Sequence, residues 1–327
     1  MKTKIFVLAL TVFSFIWTGC GKKEGPAGQS NVLRIGFFPN ITHAQGLIGY
    51  NETQTKNAEG FFEKATGAKI EWYPFNAGPS AIEALSAGSI DATYVGPNPV
   101  LNGYIRSKGK SVRVLAGAAR GGVALVIQPG SGLKTASDFR GKRIATPQLG
   151  NTQDVSARAW LKAGGLEIRQ NGGDAFVIPT QNPDQLDLFK RKELDAVWTV
   201  EPWVSRLELE ANAEILLSEN DTFITLLATS TKALSEKEAL LKKFVVAHNE
   251  LTERISKDVS FAKPAITAAL KKATGKEIGS KLFDQAWPKL KFTTEIHRED
   301  FETAMNNAFS VGLIPEKGDL ANLFVKP

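Results

Sequence analysis

Four consecutive residues, Gly150–Asn151–Thr152–Gln153, form a polar turn whose residue types suit ligand binding. The turn follows an apolar segment that begins at Ile144, and it precedes apolar residues at helical spacing: Val155, Ala159, Trp160 and Ala163. Asn151 or Thr152 can cap such a helix, since each side chain carries an oxygen that accepts a first-turn N–H. A strand, a polar turn and a helix N-terminus present N–H donors and a positive dipole end, which together bind oxyanions. The alternative is an ordinary capped helix without a ligand.

Residues that could catalyse a reaction are scarce. The chain has three histidines, His43, His248 and His297, and one cysteine, Cys20. It contains no phosphate-binding loop, no nucleophile elbow and no His-Glu-x-x-His motif, so we predict no catalytic residue, no metal site and no cofactor. His248 and His297 lie in charge-rich helical segments and are expected at the surface. His43 lies in a loop after a strand and is expected to be able to contact a ligand.

The composition is that of a soluble globular chain. Of 327 residues, 43% are hydrophobic and 23% are charged, and the net charge is +6. The length allows one large domain or two medium ones. The small positive surplus is spread among acidic residues, so we predict no nucleic-acid partner.

The N-terminus has the pattern of an export signal. Lys2 and Lys4 precede an apolar run, Ile5 to Trp17, that is short for a membrane span. The run ends in Thr18-Gly19-Cys20, which resembles a bacterial lipobox, although Trp17 stands where an aliphatic residue is usual. We predict a signal peptide over residues 1–19 and a tether over 20–31 that is lipidated on Cys20. A plain secretory signal or a retained anchor with an incidental cysteine is the alternative.

Strand and helix patterns alternate along most of the chain. Predicted strands at 32–38, 69–75, 90–95 and 112–118 are followed by turns and helices, and a second series runs from Val123 to Trp198. This alternation predicts an α/β fold with mostly parallel sheets, whose ligands sit beyond the carboxyl ends of the strands. Residues 83–94 and 188–198 follow one scheme, which suggests two lobes of similar design. From Ser235 onward the pattern is helical.

Three groups of residues carry a family resemblance. Asn76–Pro79 with Glu83–Asp91, Leu194–Trp198 with Glu201-Pro202-Trp203, and Gly141–Ala145 with the turn at Gly150 resemble segments of ABC-importer substrate-binding proteins for aliphatic sulfonates, taurine and nitrate. The similarity runs from about Leu33 to about Leu227. The turn is richer in serine in the sulfonate proteins, and Asp154 would oppose an anion unless it turns away or meets a ligand amine.

The resemblance implies a two-lobed, periplasmic-binding-protein-like clamp of type II with a helical C-terminal part. Residues 32–118 with 222–327 would form lobe one, and 119–221 would form lobe two. The chain would cross between lobes near 119–122 and near 218–225.

The resemblance also implies a ligand site between the lobes. Arg120 is the expected cation for an anionic head group, with a surface or interlobe salt bridge as its alternative. Trp198 is expected to wall an apolar part of the ligand, or to pack in the core. The full set of expected contacts is Phe38, Asn40, Thr42, His43, Gly78, Gly96, Pro97, Asn98, Arg120, Gly150, Asn151, Thr152, Gln153, Trp198 and Glu201.

The function implied is that of a monomeric, lipid-anchored, extracytoplasmic subunit that binds a small organic anion such as an alkanesulfonate or taurine. Its partner would be a membrane permease of an ABC importer. Nitrate or a thiamin pyrimidine precursor are alternative ligands. A pyrimidine-biosynthesis enzyme on the same fold and a ligand-sensing domain for a signalling partner are alternative functions.

Overall fold

The computed structural model describes residues 31–53, 59–170 and 172–325. The predicted signal peptide and Cys20 lie outside these residues, as does all of the predicted tether except Asn31. None of the helices in the described ranges is long and apolar enough to cross a membrane.

Eleven strands lie within the described residues. They are β1 (Val32–Phe37), β2 (Lys69–Pro74), β3 (Ala92–Val95), β4 (Val112–Gly121), β5 (Val123–Ile127), β6 (Arg143–Thr146), β7 (Phe176–Pro179), β8 (Ala196–Val200), β9 (Glu214–Glu219), β10 (Phe223–Ser230) and β11 (Leu290–Phe292).

Twelve α-helices connect or follow the strands in the same ranges. They are α1 (Ala44–Thr53), α2 (Phe61–Thr66), α3 (Gly78–Ser86), α4 (Pro97–Arg106), α5 (Thr152–Ala163), α6 (Asn182–Lys190), α7 (Trp203–Ala211), α8 (Thr231–Glu236), α9 (Glu238–Lys257), α10 (Val259–Thr274), α11 (Ser280–Ala286) and α12 (Arg298–Ser310).

The strands form two sheets. The first has six strands in the order β11-β4-β10-β3-β1-β2, and the second has five in the order β7-β6-β8-β5-β9. In β1 the alternate residues Leu33, Ile35 and Phe37 are completely buried, as expected for a strand whose period-2 pattern points one face at a core. The α/β fold predicted from the sequence is confirmed.

Both sheets are mixed, which corrects the prediction of mostly parallel sheets. β1 pairs in parallel with β2 and β3, whereas β10 runs antiparallel to β3 and β4. In the second sheet β6 is parallel to β7 and β8, whereas β5 is antiparallel to β8 and β9. β5 and β10 each directly follow a passage between the sheets, so no crossover helix precedes them. The edge strand β11 is antiparallel to β4 as well.

The chain passes between the sheets twice among the described residues. It leaves β4 at Gly121 and enters β5 at Val123, and it returns between Glu219 at the end of β9 and Phe223 at the start of β10. Both passages fall in the segments expected to cross between lobes. The lobe boundaries and the bending of these segments as hinges remain predictions.

Of the C-terminal helices, α8 and α9 pack against the first sheet, and α9 corrects a prediction. His248 of α9 is fully buried rather than exposed, and its ring lies between the Tyr94 hydroxyl (3.1 Å) and the Gly117 carbonyl (2.7 Å). The helical pattern of α9 was read correctly, but the buried stripe includes this histidine because two polar partners satisfy its ring nitrogens. His297 is half exposed.

Candidate functional site

A small chamber lies where the carboxyl ends of strands from both sheets meet. The first sheet contributes Phe38, Asn40, Thr42 and His43 after β1, Asn76–Gly78 after β2, and Gly96 after β3. The second contributes Pro147 and Asn151–Gln153 after β6, Asn182 after β7 and Val200 at the end of β8. Pro99 and Ile224 complete the lining. The chamber is therefore at the edge where α/β sheets bind ligands.

Four helices begin at the chamber. α3, α4, α5 and α6 start at or next to lining residues, and their N-cap residues all have extended backbones. The first N–H groups of a helix have no partner within it, and the caps of α3 and α4, Ala77 and Gly96, carry no polar side chain. Prolines in the first turns of α3, α4 and α6 remove some of these donors. The remaining first-turn N–H groups and the positive dipole ends of helices from both sides of the chamber suit a group with negative oxygens.

Within the described part of the chain, no residue that lines the chamber is a lysine, an arginine or an acid. His43 is neutral as well, because burial lowers its pKa to about 3. The Phe38 N–H donates to His43 Nδ1 at 3.3 Å, so the proton of the neutral ring is on Nε2. The Thr152 hydroxyl is buried without a partner among the described residues. The chamber therefore offers neutral hydrogen-bond donors.

The chamber is tight, because residues from the two sheets contact each other around it. The volume of the chamber is about 30 Å³. Trp203 Nε1 after β8 donates to Asn40 Oδ1 after β1 at 3.0 Å. A Cβ atom added at Gly96 would lie 2.4 Å from Thr152 Oγ1. Only a small group, such as the head of a larger ligand, fits inside this arrangement.

Nine of the residues predicted as ligand contacts line the chamber, and six do not. Those that do are Phe38, Asn40, Thr42, His43, Gly78, Gly96, Asn151, Thr152 and Gln153. Asn76 and Asn182 were missed, although Asn76 lies between β2 and α3 and Asn182 is the first residue of α6, the helix after β7. Applying the strand-end rule to every such turn would have found both.

Arg120 is placed away from the chamber, contrary to its predicted role. Its guanidinium pairs with Asp300 at 2.6 Å and with Asp221 at 3.0 Å, and it lies over the Phe223 ring. It borders a separate side cavity together with Pro97 and Asn98, and Asn98 donates to the Ala304 carbonyl at 3.1 Å. Two carboxylates neutralise the arginine, so its salt-bridge alternative describes it better.

Asp154 turns away from the chamber. It is fully buried, and its carboxylate accepts hydrogen bonds from Arg158 Nε at 3.0 Å, the Gly150 N–H at 2.9 Å and the Thr146 hydroxyl at 3.1 Å. Gly150 is the turn residue, with φ of +78°, and its N–H serves this carboxylate. The charge that seemed to oppose an anion is therefore neutralised inside the lobe.

Trp198 and Glu201 also lie outside the chamber lining. Trp198 is a core residue that packs edge-on against Trp160, with ring centroids 5.9 Å apart. Glu201 is fully buried and pairs with Lys289 at 3.0 Å. Burial raises the pKa of Glu201, and the lysine opposes that shift. Of the residues of β8, Val200 lines the chamber, whereas Trp198 packs in the core and Glu201, just after the strand, is held by Lys289.

Comparison with known proteins identifies a family that matches most of the chain. The model of the NMT1-like family matches residues 27–270. A Bacillus subtilis (strain 168) protein, named provisionally as an aliphatic sulfonates-binding protein, is 26% identical over 226 residues, which are 68% of this chain and 64% of that protein. The chain thus aligns with less than two thirds of that relative's length. The taurine-binding periplasmic protein of Escherichia coli (strain K12) is 28% identical over 46% of this chain and 45% of its own.

Solved structures show the same fold. The alkanesulfonate-binding protein SsuA from Xanthomonas axonopodis pv. citri, solved with bound MOPS, has a TM-score of 0.75 at 18% identity, over 92% of this chain and all of the other. The periplasmic nitrate-binding protein NrtA from Synechocystis PCC 6803 has a TM-score of 0.68 at 14% identity, over 89% of this chain and 84% of its own.

Proposed function

Because the chain belongs to the NMT1-like family, we propose that it is the solute-binding subunit of an ABC importer, and that it binds a small organic anion of the sulfonate type. The single observation that carries this proposal is the uncharged chamber at the starts of four helices, contributed by both sheets. Neutral N–H and O–H donors can surround a sulfonate without an ion pair. The names of the sulfonate-binding and taurine-binding relatives support the ligand class.

The mechanism follows from the position of the chamber. A ligand held by residues from both sheets contacts both only when the sheets are close, so it favours the closed arrangement over an open one. The passages at Gly122 and at 220–222 would bend during this change. The closed protein would then dock on a membrane permease, and the predicted lipid on Cys20 would keep it at the outer surface of the membrane.

A neutral pyrimidine is the second candidate ligand, and one observation favours it. The chamber contains amide side chains, including those of Asn40, Asn151 and Gln153, and it lacks a cation. Amides can pair with the ring nitrogens and amino group of a pyrimidine as well as with an anion. An enzymatic role is less supported, since the chamber residues include neither a carboxylate nor a thiol.

Titration of the full-length protein with a ligand panel tests the proposal. Ethanesulfonate, taurine, nitrate and a hydroxymethyl aminopyrimidine are added in a Tris–chloride buffer, because sulfonate buffers would compete. A ligand at one hundred times its Kd stabilises the fold by about 2.7 kcal/mol, which raises the melting temperature. We expect a sulfonate to give this shift. A shift from the pyrimidine with none from any anion would overturn the anionic ligand.

A further inference from the structure

A second cavity adjoins the chamber and is about ten times as large. Its cavity volume is about 330 Å³, whereas that of the chamber is about 30 Å³. A cavity of about 150 Å³ already admits benzene. We call this larger space the vestibule. It is bounded by α7, the start of α6, and the segment from Leu270 to Leu282 that includes the end of α10 and the start of α11.

Three asparagines join the two spaces. Asn40, Asn76 and Asn182 line both the chamber and the vestibule, so they form the mouth between them. Asn40 is fixed there by the hydrogen bond from Trp203, and Asn182 Oδ1 accepts one from Thr199 at 3.3 Å. A ligand whose head fills the chamber has this mouth as its continuation into the vestibule.

The vestibule wall is mainly apolar. It includes three prolines and the side chains of Trp203, Leu209, Leu270, Ile278 and Leu282.

Of the five charged residues that line the vestibule within the described ranges, Arg206, Glu210 and Glu277 are in ion pairs, the last with Lys271 at 3.4 Å. Arg206 stacks on the Trp203 ring, 4.9 Å from its centroid, and pairs with Glu210 at 2.7 Å. Lys276 and Lys281 are exposed at the edge. The apolar side chains of the wall suit hydrocarbon, and the two lysines lie at its exposed edge.

We infer that the vestibule is a subsite for the apolar body of the ligand, and that the protein selects organic anions with a hydrocarbon tail or ring over nitrate and taurine. This inference rests on the proposed function for the anionic head. Nitrate and taurine would leave the vestibule to water. A longer ligand would place its head among the helix starts and its carbon chain against Trp203, Leu209 and Ile278.

The affinities of alkanesulfonates of increasing chain length test the subsite directly. Ethane-, butane- and hexanesulfonate are titrated calorimetrically into the full-length protein in Tris–chloride. Each added methylene that becomes buried should lower Kd about threefold to fourfold. A Kd that does not change with chain length, while ethanesulfonate binds, would overturn the inference and leave the proposed function intact.

Substitutions in the vestibule wall test whether the dependence of Kd on chain length arises there. Leu209 and Ile278 are half-buried in the vestibule wall, so Leu209→Asn and Ile278→Asn should be tolerated by the fold. Each should reduce the dependence of Kd on chain length and change Kd for ethanesulfonate less than twofold. Val246→Asn is the matched control, because Val246 is 57% exposed on α9 and does not line the vestibule. An unchanged chain-length dependence in both vestibule variants would contradict the assignment.

Uncharged ligands separate failure of the subsite from failure of the proposed function. Ethanol, butanol and hexanol carry the same tails without an anionic head. If no sulfonate binds, the anionic head in the proposed function is wrong. The vestibule then stands only if the alcohols bind with a chain-length dependence that Leu209→Asn removes, and it is overturned if they do not.

Discussion

At the scale of single residues, the chamber is lined by neutral side chains, and the charged residues near it are paired outside it. Thr152 and His43 line the ligand space and four helices begin at it, whereas Arg120, Asp154 and Glu201 each meet an opposite charge outside it. Hydrogen bonds from fixed neutral groups can bind an oxyanion in a site shielded from water. Specificity would then depend on the directions of these donors.

The buried pair of Asp154 and Arg158 yields a stability prediction. Both side chains are at most 2% exposed, and removing one partner of such a pair costs about 3–5 kcal/mol. We therefore expect Asp154→Asn to lower the free energy of unfolding in urea by about 3 kcal/mol and to change Kd for ethanesulfonate less than twofold. Glu253→Gln, in an exposed pair with Lys257, is the control and should have no measurable effect. A tenfold tighter Kd in Asp154→Asn would instead show that this charge repels the ligand.

The two buried histidines predict a loss of stability in mild acid. Burial lowers the pKa of His43 to about 3 and that of His248 to about 4, below the ordinary value of about 6.5. As pH falls below 6.5, the unfolded chain takes up a proton at each site and the folded chain does not. The free energy of unfolding should fall by up to about 1.4 kcal/mol per pH unit for each histidine.

Urea unfolding between pH 6.5 and 5 checks this dependence. The variant His248→Gln should show a slope that is smaller by the contribution of one histidine, because Gln can still donate to the Gly117 carbonyl and does not titrate. His297→Gln is the control, since His297 is half exposed. Equal slopes in the two variants would contradict the assignment.

At the scale of elements, the site depends on how closely two helix starts approach. Gly96 lies between β3 of the first sheet and helix α4. Thr152 is the first residue of helix α5, which follows β6 of the second sheet. A Cβ atom 2.4 Å from the Thr152 hydroxyl is closer than packing allows, so a side chain at position 96 would hold the elements apart. Gly96 is thus required for the close arrangement itself, since its φ of −79° is open to any residue.

A double-mutant cycle tests this contact. Overpacking by one methyl group costs about 1–3 kcal/mol, so Gly96→Ala should weaken ethanesulfonate binding about tenfold to a hundredfold. In the Thr152→Ala background the same substitution should have a much smaller effect, because the clashing hydroxyl is gone. Binding calorimetry on the four proteins gives the coupling energy. Additive losses would show that the two residues do not meet in the ligand-bound protein.

At the scale of the whole molecule, one lysine joins the two sheets next to a passage between them. Lys289 lies just before β11 of the first sheet, and it pairs with Glu201 at 3.0 Å and Glu208 at 2.7 Å, which belong to the end of β8 and to α7. Glu201 is fully buried, and its backbone N–H donates to the Gly122 carbonyl at 2.8 Å. This contact links the arrangement of the sheets to the passage at Gly122.

Removing the lysine should destabilise the molecule through the carboxylate that it leaves behind. We expect Lys289→Met to lower the free energy of unfolding by about 2–3 kcal/mol, and Glu201→Gln to restore part of that loss in the same chain. Lys242→Met, in an exposed pair with Glu238, is the control. Urea unfolding measures all four proteins, and a double variant no more stable than Lys289→Met alone would rule out this coupling.

Residue patterns along the chain determined the alternation of strands and helices, the strand-end turns and the family. These follow from local rules: the period of apolar residues, capping at Asn151, and turn residues between elements. The contact set came from the family resemblance, and nine of its members line the chamber, because turns after neighbouring parallel strands lie at the same edge of a sheet.

Only the tertiary structure decided which charges face the ligand. Nothing in the local sequence marks Arg120 and His248 as buried and paired, because their partners Asp300 and Tyr94 reach them through packing. Asp154 and Arg158 are four residues apart on α5, so their pairing follows a local rule, but the burial of both side chains does not. The same holds for the mixed sheets and for the vestibule, whose walls come from segments up to about 240 residues apart, Pro39 and Leu282 among them. Burial and pairing across such distances depend on how whole elements pack, and a local pattern does not contain that information.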